Sequence, residues 1–219
     1  MEEQEFSQDS DIQNSEKQEC GEKAAPKNTA KKPGRQEEFL SCLQDLSYML
    51  SAVLLIFLFL LRIAVVDGSS MVPTLQNGDR LLMCSNLLRP TFRKGDVVVV
   101  HEQDFESRYT LVKRVIATEG ETVDIDFESG IVYVDGEALE EPYVNTPTNL
   151  DEGMVFPATV PEGCVFVMGD NRNNSKDSRD PEVGFVDQRE IFGKALLILL
   201  PGADRETEKR DFSRIGAVR

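Results

Sequence analysis

One unbroken apolar run, Leu46 to Val66 (LSYMLSAVLLIFLFLLRIAVV), limits what this chain can become, and its single charge is Arg62. At about 1.5 Å rise per residue, a helix of this length reaches roughly 30 Å, one bilayer core. The expected element is a single transmembrane helix over 46–66, with Arg62 near enough to its end to reach the headgroups. A cleavable signal sequence is the rival reading. It calls for a short basic segment ahead of the run, whereas residues 1–45 carry 11 acidic and 6 basic side chains. That segment has few large apolar residues, cannot bury a core, and reads as a disordered tail. Lys27, Lys31, Lys32 and Arg35 gather near the anchor. Acidic residues count little in the positive-inside rule, so the N-terminus is expected in the cytoplasm and residues 67–219 outside.

The chain beyond the anchor is long enough for one well-packed domain. The net charge of -15 disfavours recognition of a phosphate backbone, so nucleic acid is not an expected partner. The cysteines are Cys20, Cys42, Cys84 and Cys164, without a CxxC pair, and the one histidine is His101. Zinc spacing is therefore missing, and neither metal nor cofactor is expected. Cys84 and Cys164 fall on the same side of the anchor, but sequence cannot supply the geometry a disulfide needs.

Short runs of β-branched residues between turn signals predict strands at 79–84 (DRLLMC), 96–102 (DVVVVHE), 109–118 (YTLVKRVIAT), 164–169 (CVFVMG) and 191–200 (IFGKALLILL). TVDIDF and IVYVDG flank Glu128-Ser129-Gly130 as a hairpin. Residues 140–163 carry four prolines and read as an excursion. Ala195 to Leu200 is too short for a second span and suits a buried strand.

Three segments could carry chemistry. Directly after the anchor, Asp67-Gly68-Ser69-Ser70-Met71-Val72-Pro73-Thr74-Leu75 is either a plain membrane-exit loop or the seat of a nucleophile. A catalytic serine needs a base, and His101, in or beside a strand, has no compelling partner for a triad. Lysine is the other available base, provided its site disfavours the ammonium form. Lys113 and Arg114 lie on a strand apolar enough for one of them to face inward, unless both are solvated edge charges. The third segment is Gly169-Asp170-Asn171-Arg172-Asn173-Asn174-Ser175-Lys176-Asp177-Ser178-Arg179. It fails as an EF-hand, because with Asp170 at position 1 the ligand, glycine and glutamate positions hold Arg172, Ser175 and Pro181. No GxxxxGK[ST] or GxGxxG phosphate cradle occurs.

Taken in order behind one anchor, SMVPTL, GDVVVV, LVKRVI and GDNRNNSKDSR resemble the type I signal peptidases, in a Gram-positive-like variant, across nearly all of residues 50–200. The resemblance implies a mainly antiparallel β catalytic domain with a small β insertion around 119–163. By position it makes Ser70 the nucleophile and Lys113 its general base, with Ser175 orienting the lysine and Asp177 and Arg179 bracing the site as an ion pair. Met71, Pro73 and Val112 fall at substrate-contacting positions. Gly68 stands where some members carry a serine hydroxyl that assists the oxyanion hole, which leaves that hole to backbone N–H groups, chiefly that of Ser70. Ala117-Thr118-Glu119-Gly120-Glu121 and Asn173 also depart from the usual pattern, at positions that shape loops.

The implied activity is removal of signal peptides after small residues at -1 and -3, from preproteins bound by strand addition. The implied setting is the cell membrane, close to the bilayer and the export machinery. A peptidase dedicated to one substrate and an inactive signal-peptide-binding homologue are the alternatives.

Overall fold

A computed structural model describes residues 35–88, 91–101, 110–203 and 208–218. Contacts group Leu46–Arg219 into one compact unit and Met1–Asp45 into another, of which only the part from residue 35 is described. Lys27, Lys31, Lys32 and Cys20 therefore lie outside the described residues, as does the His101 side chain.

The helix α1 covers Arg35–Leu60. It begins ahead of the expected anchor, inside the segment read as tail, because Arg35-Gln36-Glu37-Glu38 are good helix formers and Phe39, Leu40 and Leu43 extend the apolar run. Within it, Glu38–Leu60 is long and apolar enough to cross a membrane. Apolar side chains along it, among them Leu54, Phe57 and Leu58, are exposed in the protein alone.

The apolar run does not stay helical to Val66. Leu61–Val65 forms strand β1, antiparallel to β2 (Arg80–Ser85), with Leu61 opposite Cys84 and Val65 opposite Arg80. A continuous apolar run carries no period that separates helix from buried strand. Here the β-branched Ile63 and Val65, and a partner strand, decide for the sheet. Arg62 accordingly sits on a strand, where the sequence predicts a helix end.

The remaining strands are β3 (Val97–His101), β4 (Thr110–Thr118), β5 (Thr122–Asp126), β6 (Ile131–Val134), β7 (Glu137–Ala138), β8 (Ala158–Thr159), β9 (Cys164–Met168), β10 (Val186–Asp187), β11 (Ile191–Leu200) and β12 (Gly216–Ala217). The large sheet runs β1-β2-β11-β3-β4-β9-β10, with β12 against β11, and a smaller sheet runs β7-β6-β5-β8. Every pairing in both is antiparallel. The mainly β class follows, and the smaller sheet is drawn from residues 122–159.

Strand β4 lies inside the large sheet, between β3 and β9, and supplies side chains to each of three apolar clusters: Val112, Val115 and Ile116. Phe156 and Phe166, 6.0 Å apart edge to face, are in the cluster that also holds residues of the smaller sheet. With material on both faces of β4, successive side chains on either side are buried. The alternative of two solvated edge charges fails for that reason, and so does the expectation of one inward cation: Lys113 and Arg114 are both buried. Cys84 and Cys164 are free, on β2 and β9, with β11, β3 and β4 between them in the sheet.

Candidate active site

The segment from Val66 to Asp79 closes on itself. Val66 N donates to Asp79 O (2.9 Å) and Gly78 N to Val66 O (2.8 Å), so the loop leaves β1 and enters β2 through one paired base. Its interior holds a helical turn, Leu75 N to Met71 O at 2.8 Å, with Met71 and Leu75 buried in the core. Gly68 takes φ +100°, a region open to glycine but strained for other residues. Its N–H is engaged by Asn77 Oδ1 at 2.8 Å. It is therefore a turn residue here, with its N–H engaged within the loop.

The Gly169–Arg179 segment latches this loop from the other side. Asn171 N donates to Ser70 O (2.9 Å), Asn171 Nδ2 to Ser69 O (3.1 Å) and Asn174 Nδ2 to Ser69 Oγ (3.1 Å). The two serines are thereby separated in role: the Ser69 hydroxyl is part of the latch, while Ser70 Oγ lies 2.8 Å from Lys113 Nζ in a hydrogen bond. Lys113 is only 2% exposed.

Arg114, the neighbour of Lys113, makes a two-pronged pair with the buried Asp170, Nε to Oδ1 at 2.8 Å and Nη2 to Oδ2 at 2.7 Å, and stacks over Tyr143 with Cζ 3.9 Å from the ring centre. Thr74 Oγ1 donates to the same carboxylate at 2.5 Å. One ion pair thus ties the lysine strand, the serine loop and the third segment together. A charge pair of this geometry is strong because two parallel charge-assisted bonds fix it.

Asp177 organises the far end. Its carboxylate accepts from Ser175 Oγ (2.8 Å), Gly169 N (2.9 Å) and Arg179 Nε (2.8 Å) and Nη2 (2.9 Å), and both ionic partners are fully buried. Removing one member of such a pair costs about 3–5 kcal/mol, since the other charge is left buried alone. Burial works against the Arg179 charge, yet the bond and charge of Asp177 hold its pKa above the ordinary value. Arg172, equally buried, grips Glu141 and Thr148 Oγ1 (2.9 Å), bracing the segment from the 140–150 excursion.

Gly169 sits between the parts. A Cβ there would lie 2.2 Å from Ser175 Oγ and 2.5 Å from Ser70 O. Val112 lines a groove of about 310 Å³ with Arg62, Ile63, Val65, Val99 and Phe192, whereas Met71 is core and Pro73 is exposed. A larger polar recess of about 540 Å³, walled by Asn86, Phe92, Gly163 and Gln188 among others, contains none of these site residues.

Glu152 completes the surroundings, 3.7 Å from Arg179, with its Oε2 buried and without a hydrogen-bond partner. Burial, and then the nearby Asp177 charge, raise its pKa above 4.5, against the pull of Arg179. The folded protein therefore holds this proton to higher pH than the unfolded chain does, and stability falls as pH rises through the range above 4.5. Glu152→Gln is expected to melt at a higher temperature than the wild type at pH 7, with the gap closing below pH 4.5. Calorimetry at both pH values checks this, and a gap that stays constant would trace the gain to another cause.

A hydroxyl whose proton can pass to an adjacent buried amine is equipped for acyl transfer, the chemistry of the serine hydrolases. The family model for "Signal peptidase, peptidase S26" matches residues 40–200. A probable signal peptidase I of Synechocystis sp. is 40% identical over 165 residues, covering 69% of this chain and 80% of that protein. Signal peptidase I of Bacillus licheniformis is 35% identical over 156 residues, covering 68% and 81%. A crystal structure of a signal peptidase I from Enterococcus faecalis V583 aligns with 48% of this chain and 97% of that one, at 30% identity and a TM-score of 0.39. The chain belongs to the type I signal peptidases, serine endopeptidases that remove signal peptides.

Sequence motifs bring Ser70, Lys113, Ser175, Asp177 and Arg179 into consideration but give no part to Gly169, Asn171, Asn174, Asn77 or the Arg114–Asp170 pair. These act through backbone contacts and partners distant in sequence, and only Gly169, as the glycine ending a strand, carries a local signal.

Proposed function

We propose that this chain cleaves preproteins with Ser70 as nucleophile and Lys113 as general base, cutting after small residues at -1 and -3. The 2.8 Å contact between Lys113 Nζ and Ser70 Oγ, in a buried setting, carries this reading. Neutral Lys113 takes the Ser70 proton, the alkoxide attacks the scissile carbonyl, and the tetrahedral oxyanion is met by backbone N–H groups, chiefly that of Ser70. Lys113 then returns the proton to the departing amine. The resulting ester is hydrolysed by a water from which Lys113 draws a proton. Ser175, held by Asp177 and Arg179, keeps the lysine end of the site in place.

Among the described residues strand β1 ends the path of the large sheet, and its outer edge suits an extended preprotein segment added as a further strand. Val112 and the β1 residues along the 310 Å³ groove would then meet the substrate, with Met71 supporting from beneath and Pro73 at the surface. Helix α1 is the anchor in the bilayer of the cell membrane, with the N-terminus cytoplasmic and the catalytic domain extracytoplasmic, close to the export machinery. Nearness of Ser70 to the anchor in sequence fits a substrate whose signal segment is itself embedded in lipid.

The test is cleavage of a synthetic Ala-x-Ala preprotein segment by the detergent-solubilised full chain, read by mass spectrometry. Cutting after the -1 alanine that vanishes in Ser70→Ala supports the reading; binding without cutting would favour the inactive homologue. The rate is expected to climb through an apparent pKa well above that of imidazole. A profile centred near about 6.5 and abolished by His101→Ala would transfer the base to histidine.

A further inference from the structure

A buried carboxylate at the base of the serine loop takes no part in these proton transfers. Asp79 is fully buried, and it accepts from Gln76 N (2.8 Å) and Gly202 N (2.8 Å). Its countercharge comes from the far end of the chain: Arg214 donates from Nη1 to Oδ1 at 3.0 Å and from Nη2 to Oδ2 at 2.7 Å. The same Nη2 reaches Thr74 O at 3.2 Å. Arg214 therefore touches the loop twice, at the residue that closes its base and within the Met71–Leu75 turn that follows Ser70.

The tail that delivers this arginine is built to do so. Asp211 caps a short turn, Phe212–Arg214, by accepting from Ser213 N at 3.0 Å. Beyond it β12 pairs with β11, and Val218 N donates to Leu196 O at 3.0 Å. The tail is pinned ahead of Arg214 by an antiparallel bridge between Ala203 and Arg210, and after it by β12. It lies beyond residues 40–200, where the family match ends.

We propose that Arg214 is a positioning residue for Ser70, and that the C-terminal segment is thereby a working part of the peptidase. The inference rests on Ser70 as the nucleophile. Thr74 is held from two directions: its hydroxyl by Asp170, on the side of the lysine strand, and its carbonyl by Arg214. With Arg214 gone, Asp79 keeps its two N–H donors but loses its countercharge, and the loop base relaxes while the groove along β1 keeps its walls. Misplacing a nucleophile by about 1 Å costs on the order of 10²-fold in rate. The change should therefore appear in kcat and leave KM nearly untouched.

The experiment uses the detergent-solubilised full chain and the Ala-x-Ala segment, with Ser70→Ala as control. Arg214→Ala is expected to lose about 30-fold in kcat with KM within about two-fold, in line with a displacement below 1 Å. Added guanidinium, which can enter the vacated site, should restore much of the rate, and methylammonium should not, because a two-pronged planar donor is needed. Arg214→Lys keeps a positive charge for Asp79 but loses the forked contact to it and the added bond to Thr74 O, and its kcat should fall between the two. If Arg214→Ala does not fold, the lysine variant decides alone. Wild-type kcat in either folded variant, or a loss in Arg214→Ala that guanidinium leaves unchanged, overturns the proposal. Cleavage surviving in Ser70→Ala would instead overturn the assignment of the nucleophile.

Discussion

Lys113→Met is expected to yield a folded protein at least as stable as the wild type whose cleavage is slower by about 10²–10⁴-fold, the usual contribution of a general base. The two effects have opposite signs for one reason. Lys113 is 2% exposed, and an amine held there is costly for the fold in its charged form. Methionine matches the length of the stem, fills the same space without that cost, and packs well against irregular apolar surroundings. Catalysis loses the amine that stands 2.8 Å from Ser70 Oγ, while backbone oxyanion donors and substrate contacts stay in place. Single-turnover cleavage and a melting curve on the same preparation check both halves. A variant that cuts within ten-fold of wild type would sink the general-base role. One that melts well below wild type would show that the amine is needed for the fold.

The β framework was legible because its strands repeat β-branched residues between turn signals, as at Val97–Val100 and Ile131–Val134. Two features were not. The switch from helix to strand at Leu61 lies inside an apolar run with no period to mark it, so the strand could be recognised only from its pairing with Arg80–Ser85. The burial of both Lys113 and Arg114 depends on β4 being covered on both faces, a property of the sheet order that a single strand's sequence does not contain.

The site divides along a similar line. Ser70, Lys113, Ser175, Asp177 and Arg179 stand in compact motifs whose order resembles a known family, so they could be named as candidates from the chain. The partners that fix them were not. Asp79 and Arg214 are separated by 135 positions, and Asn171 serves the serine through its backbone N–H, which any residue but proline would offer. Contacts of this sort leave no trace in composition or spacing, yet they hold the loop that carries the hydroxyl, 2.8 Å from the amine.

That distance is what Gly169→Ala is expected to disturb. The new methyl carbon would stand 2.2 Å from Ser175 Oγ and 2.5 Å from Ser70 O, well inside contact distance on two sides. Ser175 cannot simply rotate away without giving up its bond to Asp177, and the Ser70 carbonyl is backbone, held by Asn171 N at 2.9 Å. Gly169 N is itself tied to Asp177 at 2.9 Å, so β9 cannot easily retreat either. Relief must come from separating the serine loop from the Gly169–Arg179 segment, at a stability cost of about 1–3 kcal/mol for an overpacked site. A shift of about 1 Å in the nucleophile lowers kcat by on the order of 10²-fold. Lys113 itself is untouched, so the apparent pKa of the rate profile should hardly move while its plateau drops. A drop in plateau with an unchanged profile would mark misplacement of Ser70. Wild-type kcat in a folded Gly169→Ala protein would mean that the serine loop tolerates the displacement, and that the latch does not set the catalytic distance.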